Sequence, residues 1–203
     1  MEFYLDPIIN VSTGNLELIE ILSFNPMPNT LLFESYSENL DFWLFEQAVK
    51  FYHTKKNDYK NTKFTINLQL KTYVKFIDII YSLISNEANL YIEIVEKSHD
   101  TDFSEFTNLL AGKLILDDFG TEASNVDRIV NLRPYAVKMD RVFFCLGVNF
   151  ITAFRVFLEN LDIKCIFEKV ETEVEYAQLL TCGIKYMQGY YFDKKILGGD
   201  RRL

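Results

Sequence analysis

The stretch ILDDFG, residues 115–120, combines an apolar run with two adjacent acidic residues and a glycine. Its apolar residues predict a short buried strand, and that strand ends at two adjacent aspartates, Asp117 and Asp118. Neighbouring carboxylates repel each other and a buried strand end withholds water from them, so the pair needs either a nearby cation or a solvated turn. The other strands of the sequence decide between these two explanations.

Short β-rich runs alternate with longer helical patterns along the 203 residues. Eight runs predict strands, at residues 3–11, 16–24, 63–70, 90–97, 113–118, 135–140, 164–170 and 184–192. Strand–helix alternation implies parallel pairing with right-handed crossovers, and eight strands favour a closed barrel over an open sheet. The turn residues STGN between the first two strands predict a hairpin, so one antiparallel strand is expected. The sequence therefore predicts an α/β barrel, in a single domain that covers residues 1–203.

The first long helical pattern covers residues 38–56. Its apolar residues Leu40, Trp43, Leu44, Ala48 and Phe51 recur at helical spacing. These five side chains are therefore predicted to share one face of a helix.

Seven successive predicted strands each carry a charged or amide residue between apolar neighbours. These residues are Glu20, Asn67, Glu93, the pair Asp117 and Asp118, Lys138, Glu168 and Gln188. Side chains of a barrel strand point alternately inwards and outwards and helices cover the outside, so a lone polar residue is expected to face inwards near the C-terminal strand ends. Any one of them alone is explained as a solvated rim residue, and Asp-Asp-Phe-Gly alone as a helix N-cap and turn. The repetition favours one shared pocket.

Such a pocket would hold five carboxylates, those of Glu20, Glu93, Asp117, Asp118 and Glu168, against a single Lys138. They cannot all remain ionised together without cations. Oxygen ligands without histidine or cysteine select hard ions, Mg²⁺ or Mn²⁺ and also Ca²⁺. Two such ions side by side are the usual apparatus of phosphodiester hydrolysis. The sequence therefore predicts a two-metal site.

Composition limits the partners and the compartment. The net charge of −8 argues against a general DNA- or RNA-binding protein, which needs a basic face. Three scattered cysteines, Cys145, Cys165 and Cys182, predict reduced thiols in a cytoplasmic protein, and the N-terminus has no signal-peptide pattern. The longest apolar stretch, around VFFCLGVNFITAF, is interrupted by Asn149 and predicts no membrane segment; it is expected to be core, or alternatively a partner surface.

Seven segments in order resemble the EAL-domain family of bacterial cyclic-di-GMP phosphodiesterases. Glu20-Ile21-Leu22 stands in the place of the Glu-Ala-Leu signature, and LDDFGT is close to the family's Asp-Asp-Phe-Gly-Thr loop. The segments INLQ, IEIVEKS, VKMDR, FEKVET and MQGYYF are similar to its other motifs. The resemblance implies a modified TIM (β/α)8 barrel with an antiparallel first strand and hydrolysis of cyclic-di-GMP to linear pGpG in second-messenger signalling.

The resemblance also implies roles for individual residues. Glu20, Asn67, Glu93 and Asp117 would ligate one Mg²⁺ or Mn²⁺, and Asp117, Asp118 and Glu168 would serve the second. Lys138 would help to activate the attacking water, Gln188 would hold Glu168 or a water, and Leu22 would contact the nucleotide. Glu96 would brace a loop that links metal binding to homodimerisation.

The sequence differs from the family pattern at some positions that would contact the ligand. Asp6 replaces a glutamine, Phe24 replaces an arginine, and Lys169 replaces a glycine in the Glu-Gly-Val-Glu motif. These differences keep an alternative open, in which the chain is a catalytically inactive EAL-like domain that acts through a protein partner, or a nucleotide receptor that does not cleave.

Overall fold

The computed structural model describes residues 2–24, 37–95, 110, 112–120 and 126–192. Within these residues, eight strands in sequence order close into one barrel. The strands are β1 (Glu2–Asn10), β2 (Asn15–Phe24), β3 (Lys63–Gln69), β4 (Leu90–Val95), β5 (Leu114–Phe119), β6 (Ala136–Met139), β7 (Lys164–Phe167) and β8 (Tyr186–Gln188). β1 is antiparallel to β2 and to β8, whereas the other neighbouring pairs are parallel. The predicted TIM-like barrel with an antiparallel first strand is confirmed.

Helices follow most of the parallel strands and cover the outside of the barrel. They are α1 (Glu38–Lys55), α2 (Leu70–Lys75), α3 (Ile77–Ile84), α4 (Val126–Leu132), α5 (Gly147–Glu159) and α6 (Glu173–Thr181), with a 3-10 helix (Arg141–Leu146) immediately before α5. Side chains cap the starts of α1, the 3-10 helix and α6, whereas α2, α3 and α5 have no side-chain cap. Thr172 and Glu175 form a reciprocal capping box at the start of α6, which satisfies backbone N–H groups that a helix end leaves unpaired.

The structure contains the predicted helix α1, but the five residues predicted to share one of its faces are only partly buried. The buried residues of this helix are Phe45, Ala48, Val49 and Tyr52, whereas Leu40 and Trp43 are 40% and 45% exposed. The buried set has the same helical spacing as the predicted set. This helix carries apolar residues on several of its sides, so its sequence is compatible with burial of either of two faces. The shape of the barrel surface determines which face is buried.

The apolar core has two parts, because successive side chains of each strand point alternately into the barrel and towards the helices. A small cluster, consisting of Ile8, Leu18, Tyr91, Ile115, Ala136 and Ile166, fills one half of the barrel interior. A much larger cluster lies between the strands and the surrounding helices. The small cluster ends before the C-terminal ends of the strands, which leaves that half of the interior to other side chains.

One helical stretch of the described residues, Arg141–Glu159, is long and apolar enough to cross a membrane by length and composition alone. The sequence-based estimate missed this because it took Asn149 as an interruption of a short apolar run. Ile151, Phe154 and Leu158 of this stretch are buried in the core of the chain, and Gly147, at φ +80°, divides the 3-10 helix from α5. Mostly buried core helices meet the same criterion, but only 17% of the most apolar window of this stretch is buried.

Candidate metal centre

The polar side chains of the strands form the second layer of the barrel interior. Side chains two positions apart on a strand share a face. Five interior apolar residues are each followed two positions later by a charged one; these pairs are Leu18 and Glu20, Tyr91 and Glu93, Ile115 and Asp117, Ala136 and Lys138, and Ile166 and Glu168. The strand period therefore places the charged groups at the C-terminal end of the barrel, as the sequence predicted.

Glu20 on β2 lies at the meeting point of three other strands. Its Oε1 accepts a hydrogen bond from Asn67 Nδ2 at 2.6 Å, and its Oε2 accepts one from Gln188 Nε2 at 2.7 Å. Lys138 Nζ lies 3.1 Å from the same Oε2. Gln188 thus holds Glu20, whereas the sequence predicted that it would hold Glu168 or a water.

Lys138 is the cation at the centre of the site and is 1% exposed. Its Nζ contacts Glu93 Oε1 and lies 2.7 Å from Glu168 Oε1 and 3.3 Å from Asp117 Oδ1, in addition to its contact with Glu20. Burial alone would lower the pKa of Lys138, but the surrounding carboxylates raise it well above its ordinary value. One permanently charged ammonium therefore faces four carboxyl groups.

The four carboxyl groups do not share this cation equally. Burial raises the pKa of Glu93 well above its ordinary value, and Glu20 adds to the effect. Burial likewise raises the pKa of Glu168 to about 8 and raises the pKa of Asp117. Burial acts on Glu20 too, but the charge of Lys138 and the hydrogen bonds from Gln188 and Asn67 hold the pKa of Glu20 below its ordinary value. Some carboxyl groups of the metal-free centre therefore retain protons that a bound cation would displace.

Carboxylate oxygens form two overlapping groups, and the oxygens within each lie within 4.8 Å of one another. Glu20, Glu93 and Glu168 form the first group, and Asp117, Asp118 and Glu168 form the second. Asp118 adopts φ +45°, and Lys169 Nζ lies 2.9 Å from its Oδ1. Glu168 is common to both groups, so the two groups share one carboxyl group.

The hydrogen bonding of three buried oxygen atoms indicates whether these residues suit a metal ion. Asn67 Oδ1, Glu168 Oε2 and Gln188 Oε1 have no hydrogen-bond partner among the residues that the structure describes. Buried acceptors without a partner are rare in proteins, because each loses its hydrogen bonds to water. A divalent cation is a partner for such atoms, and an all-oxygen donor set suits Mg²⁺, Mn²⁺ or Ca²⁺. The donor set therefore fits hard divalent cations.

A cavity of about 660 Å³ opens above the carboxylates. This volume is within the usual range of small-molecule sites. Asp6 and Leu22, which the sequence predicted to contact substrate, both line it, and so does Lys169. Phe24 ends β2, but its side chain is outside the described part of the chain, and so is Glu96, the predicted loop-bracing residue.

A close backbone contact fixes the strand ends that carry Glu168 and Gln188. Val170 N–H donates to Gln188 O at 3.0 Å, and Tyr191 N–H donates to Val170 O at 2.9 Å. Gly189 lies between these bonds at φ +142°, and a Cβ atom there would be only 2.4 Å from Val170 N. Only glycine allows this approach, so Gly189 helps to set the position of both site residues.

The sequence interpretation missed two side chains of the centre. Thr65 is fully buried, and its Oγ1 donates to Glu93 Oε2 at 2.6 Å. Asp140 contacts Lys169 Nζ and also accepts a hydrogen bond from Val142 N–H at 2.8 Å. The strand period indicated Thr65, which precedes Asn67 by two residues, whereas the contact of Asp140 depends on how the chain turns after β6.

Comparison with family models matches this chain to the model described as EAL domain, over residues 1–195. The Escherichia coli (strain K12) protein named cyclic di-GMP phosphodiesterase PdeF is 23% identical and is aligned to 95% of this chain and 28% of its own length. The E. coli oxygen sensor protein DosP is 29% identical over 53% of this chain and 15% of its own length. The chain thus spans less than a third of the length of these relatives.

Solved structures of EAL domains share the fold. An EAL domain protein from Listeria monocytogenes is similar with a TM-score of 0.76 and 20% identity, covering 96% of this chain and 92% of its own. BlrP1 of Klebsiella pneumoniae, in a complex with calcium and cy-diGMP, has a TM-score of 0.78 and 21% identity, covering 94% of this chain and 54% of its own. At these identities the likeness establishes the barrel, and the chemistry must be argued from the residues of this chain.

Proposed function

The chain belongs to the EAL domain family, and we propose that it hydrolyses cyclic-di-GMP to linear pGpG with two divalent cations, Mg²⁺ or Mn²⁺. Its curated relatives include proteins named cyclic di-GMP phosphodiesterases, and solved relatives carry calcium or manganese together with cy-diGMP. Signalling through this second messenger, in the cytoplasm, is part of the proposal.

One observation carries the proposal: two overlapping groups of carboxylate oxygens meet at the floor of a cavity of about 660 Å³. A buried arrangement of this kind is poorly suited to stabilising a fold, because desolvation of charges offsets their attraction. It suits the binding of cations, which would neutralise the carboxylates and leave the cavity above them for a phosphodiester.

The proposed reaction breaks the bond between phosphorus and the 3′ oxygen of one nucleoside. The oxygen of a water molecule forms the new bond to phosphorus, the water loses a proton and the leaving oxygen gains one. When bound, two divalent cations would lower the pKa of the attacking water and stabilise negative charge on the phosphate. Glu20, Asn67, Glu93, Asp117, Asp118 and Glu168 are the proposed ligands.

The protein residues have separate proposed tasks in this reaction. Lys138 remains charged and offers its ammonium to the oxygen atoms of the centre, so it acts as a donor and a positive charge rather than as a base. Glu168 has a buried Oε2 without a hydrogen-bond partner among the described residues, which can accept a hydrogen bond from the attacking water. Gln188 positions Glu20 through its 2.7 Å hydrogen bond. Leu22 and Asp6 line the cavity and are proposed to contact the nucleotide.

The second candidate function is binding of cyclic-di-GMP, or of a protein partner, without cleavage. Two cavity-lining residues favour loss of cleavage: the ammonium of Lys169 lies against Asp118, and Asp6 adds a carboxylate to a cavity proposed for a dianion, which favours the protein partner over the nucleotide receptor. Both features would weaken binding of either the substrate or a cation, without altering the fold.

Purified protein incubated with cyclic-di-GMP and Mn²⁺ or Mg²⁺, with products separated by chromatography, distinguishes these candidates. Hydrolysis is expected with the metal, and Glu20→Gln should abolish it because two hydrogen bonds and a proposed metal ligand are altered together. Glu17→Gln is the matched control. Glu17 lies on the same strand but pairs with Lys63 and Lys164 at the opposite end of the barrel, so its loss should leave turnover intact. Binding without product would support the receptor, and neither binding nor product would support the protein-interaction function.

Homodimerisation is proposed through the apolar surface beside α5. Leu146 and Phe150 are 56% and 43% exposed there and line a shallow groove together with Val142 and Phe157. Exposed apolar groups that lie side by side are typical of protein interfaces. Sedimentation of the purified chain tests this proposal independently of activity.

A further inference from the structure

The turn that leaves β7 holds Lys169 in a conformation that lysine seldom adopts. Its φ is +55°, in the left-handed region that favours glycine. Hydrogen bonds anchor the backbone on both sides: Glu168 N–H donates to Met139 O at 3.1 Å, and Val170 N–H donates to Gln188 O at 3.0 Å. The turn therefore cannot relax without moving Glu168 or Gln188, and the chain places a long cationic side chain where a glycine would meet less strain.

The side chain of Lys169 reaches the second carboxylate group of the metal centre. Its Nζ lies 2.9 Å from Asp118 Oδ1 and also contacts Asp140 Oδ2. Asp140 is itself fixed by the hydrogen bond from Val142 N–H. Lys169 thus connects a carboxylate held by the 3-10 helix to a carboxylate of the group Asp117, Asp118 and Glu168.

The two groups of carboxylates consequently differ in the lysine side chains that contact them. Lys138 contacts Glu20, Glu93, Asp117 and Glu168, so it serves members of both groups. Lys169 is ion-paired with Asp118, which belongs to the second group alone. A cation that enters the second group meets Lys138 and must also displace the ammonium of Lys169 from Asp118, whereas among the described residues Lys138 is the only lysine that contacts the first group.

We propose that Lys169 is a tethered counter-ion that competes with the second divalent cation for Asp118, so that the two metal sites fill at separate metal concentrations. The proposal rests on the metal binding of the proposed function. Its consequence is regulatory: at low metal concentration the first site is filled while Lys169 holds the second, and catalysis that needs two cations starts only at the higher concentration.

Titration of the nucleotide-free chain with Mn²⁺ tests this competition without relying on turnover. Free Mn²⁺ is followed by electron paramagnetic resonance, and heat by calorimetry. We expect two binding steps for the wild type. In Lys169→Met, which keeps the length of the side chain without its charge, the second step should tighten up to about fivefold, the upper end for a half-exposed ion pair, while the first stays within about twofold. Lys169→Gly should show the same gain in second-site affinity, because it also removes the charge, and glycine suits the left-handed backbone. Lys169→Arg keeps the charge and should show no gain.

Lys185→Met is the control for the loss of one positive charge from the whole protein. Lys185 is exposed and lies 3.4 Å from Glu159, at the end of the barrel opposite the metal centre. Equal second-site affinities in wild type, Lys169→Met and Lys169→Gly would overturn the proposal, and so would binding of no Mn²⁺ by all three. Unchanged metal binding combined with loss of cyclic-di-GMP binding in Lys169→Met would also overturn it, and would make Lys169 a phosphate ligand. Two separate Mn²⁺ sites in a protein that does not cleave cyclic-di-GMP would retire the proposed enzyme but keep the role of Lys169.

Discussion

The pH dependence of Mn²⁺ binding follows from the protons that the buried carboxyl groups hold in the absence of metal. Burial raises the pKa of Glu168 from 4.5 to about 8, and the pKa of Glu93 is raised as well. A metal ligand must be deprotonated, so each bound cation should release protons from this centre. We therefore expect Mn²⁺ to bind more tightly as the pH rises from about 5 to 8.

The size of the effect can be worked out for Glu168. Between pH 4.5 and about 8 the folded metal-free chain retains a proton that the unfolded chain has released, so its free energy of unfolding falls as the pH rises. Each pH unit contributes at most about 1.4 kcal/mol, and the whole window at most about 5 kcal/mol. The lowered pKa of Glu20 has the opposite effect on the free energy of unfolding and acts at lower pH. The stability that ionised Glu20 contributes is lost only as the pH falls through the acidic range. For each displaced proton, Mn²⁺ affinity should rise by up to about tenfold per pH unit.

Calorimetric titration in two buffers with different protonation enthalpies measures the released protons directly. At about pH 6.5, one or more protons per chain are expected on saturation with Mn²⁺. Glu168→Gln removes one titrating group, so the count should fall, and thermal unfolding of the metal-free variant should depend less on pH between 5 and 8, the remainder coming from Glu93 and Asp117. The control Glu17→Gln should change neither quantity, because Glu17 lies at the other end of the barrel and its own pKa is lowered. Binding without proton release, at an affinity independent of pH, would refute this reasoning.

Three further predictions concern packing and assembly. Gly189→Ala should lower the melting temperature and the Mn²⁺ affinity together, because the new Cβ would clash with Val170 N; an unchanged melting curve would contradict the close contact. Thr65→Val should destabilise the chain by about 1–3 kcal/mol in denaturant titrations, since Glu93 Oε2 loses its buried donor, and a neutral result would mean that this hydrogen bond contributes no net stability. Phe150→Glu should convert the proposed dimer to a monomer in sedimentation experiments without loss of fold, whereas a monomeric wild type would remove the dimer proposal.

The barrel and most of the centre were predictable because both depend on the strand period. The polar residue of each strand must face either the helices outside or the barrel interior. Burial of an unpaired polar group against the helices would cost free energy, so the interior is favoured. That reasoning places Glu20 and Glu168 correctly and needs no long-range information. The face of α1 was not predictable in this way, because Trp43 and Phe45 are both apolar and only the shape of the barrel decides which is buried. The contact of Lys169 with Asp118 was missed for a related reason: it depends on a left-handed backbone conformation, which lysine gives no cause to expect.

The charge balance of the centre explains why its two lysines do not neutralise its carboxylates, so that the centre can still bind metal ions. Among the described residues, the ammonium groups of Lys138 and Lys169 contact six carboxyl groups, those of Glu20, Glu93, Asp117, Asp118, Asp140 and Glu168. If all were ionised, the formal charge would be −4, which two divalent cations would neutralise. Without metal the deficit is met by protons, as the raised pKa values of Glu93 and Glu168 indicate. Replacing Lys169 by a neutral residue increases the deficit by one charge beside Asp118, so the same substitution that frees this ligand also strengthens the field that attracts a cation to it.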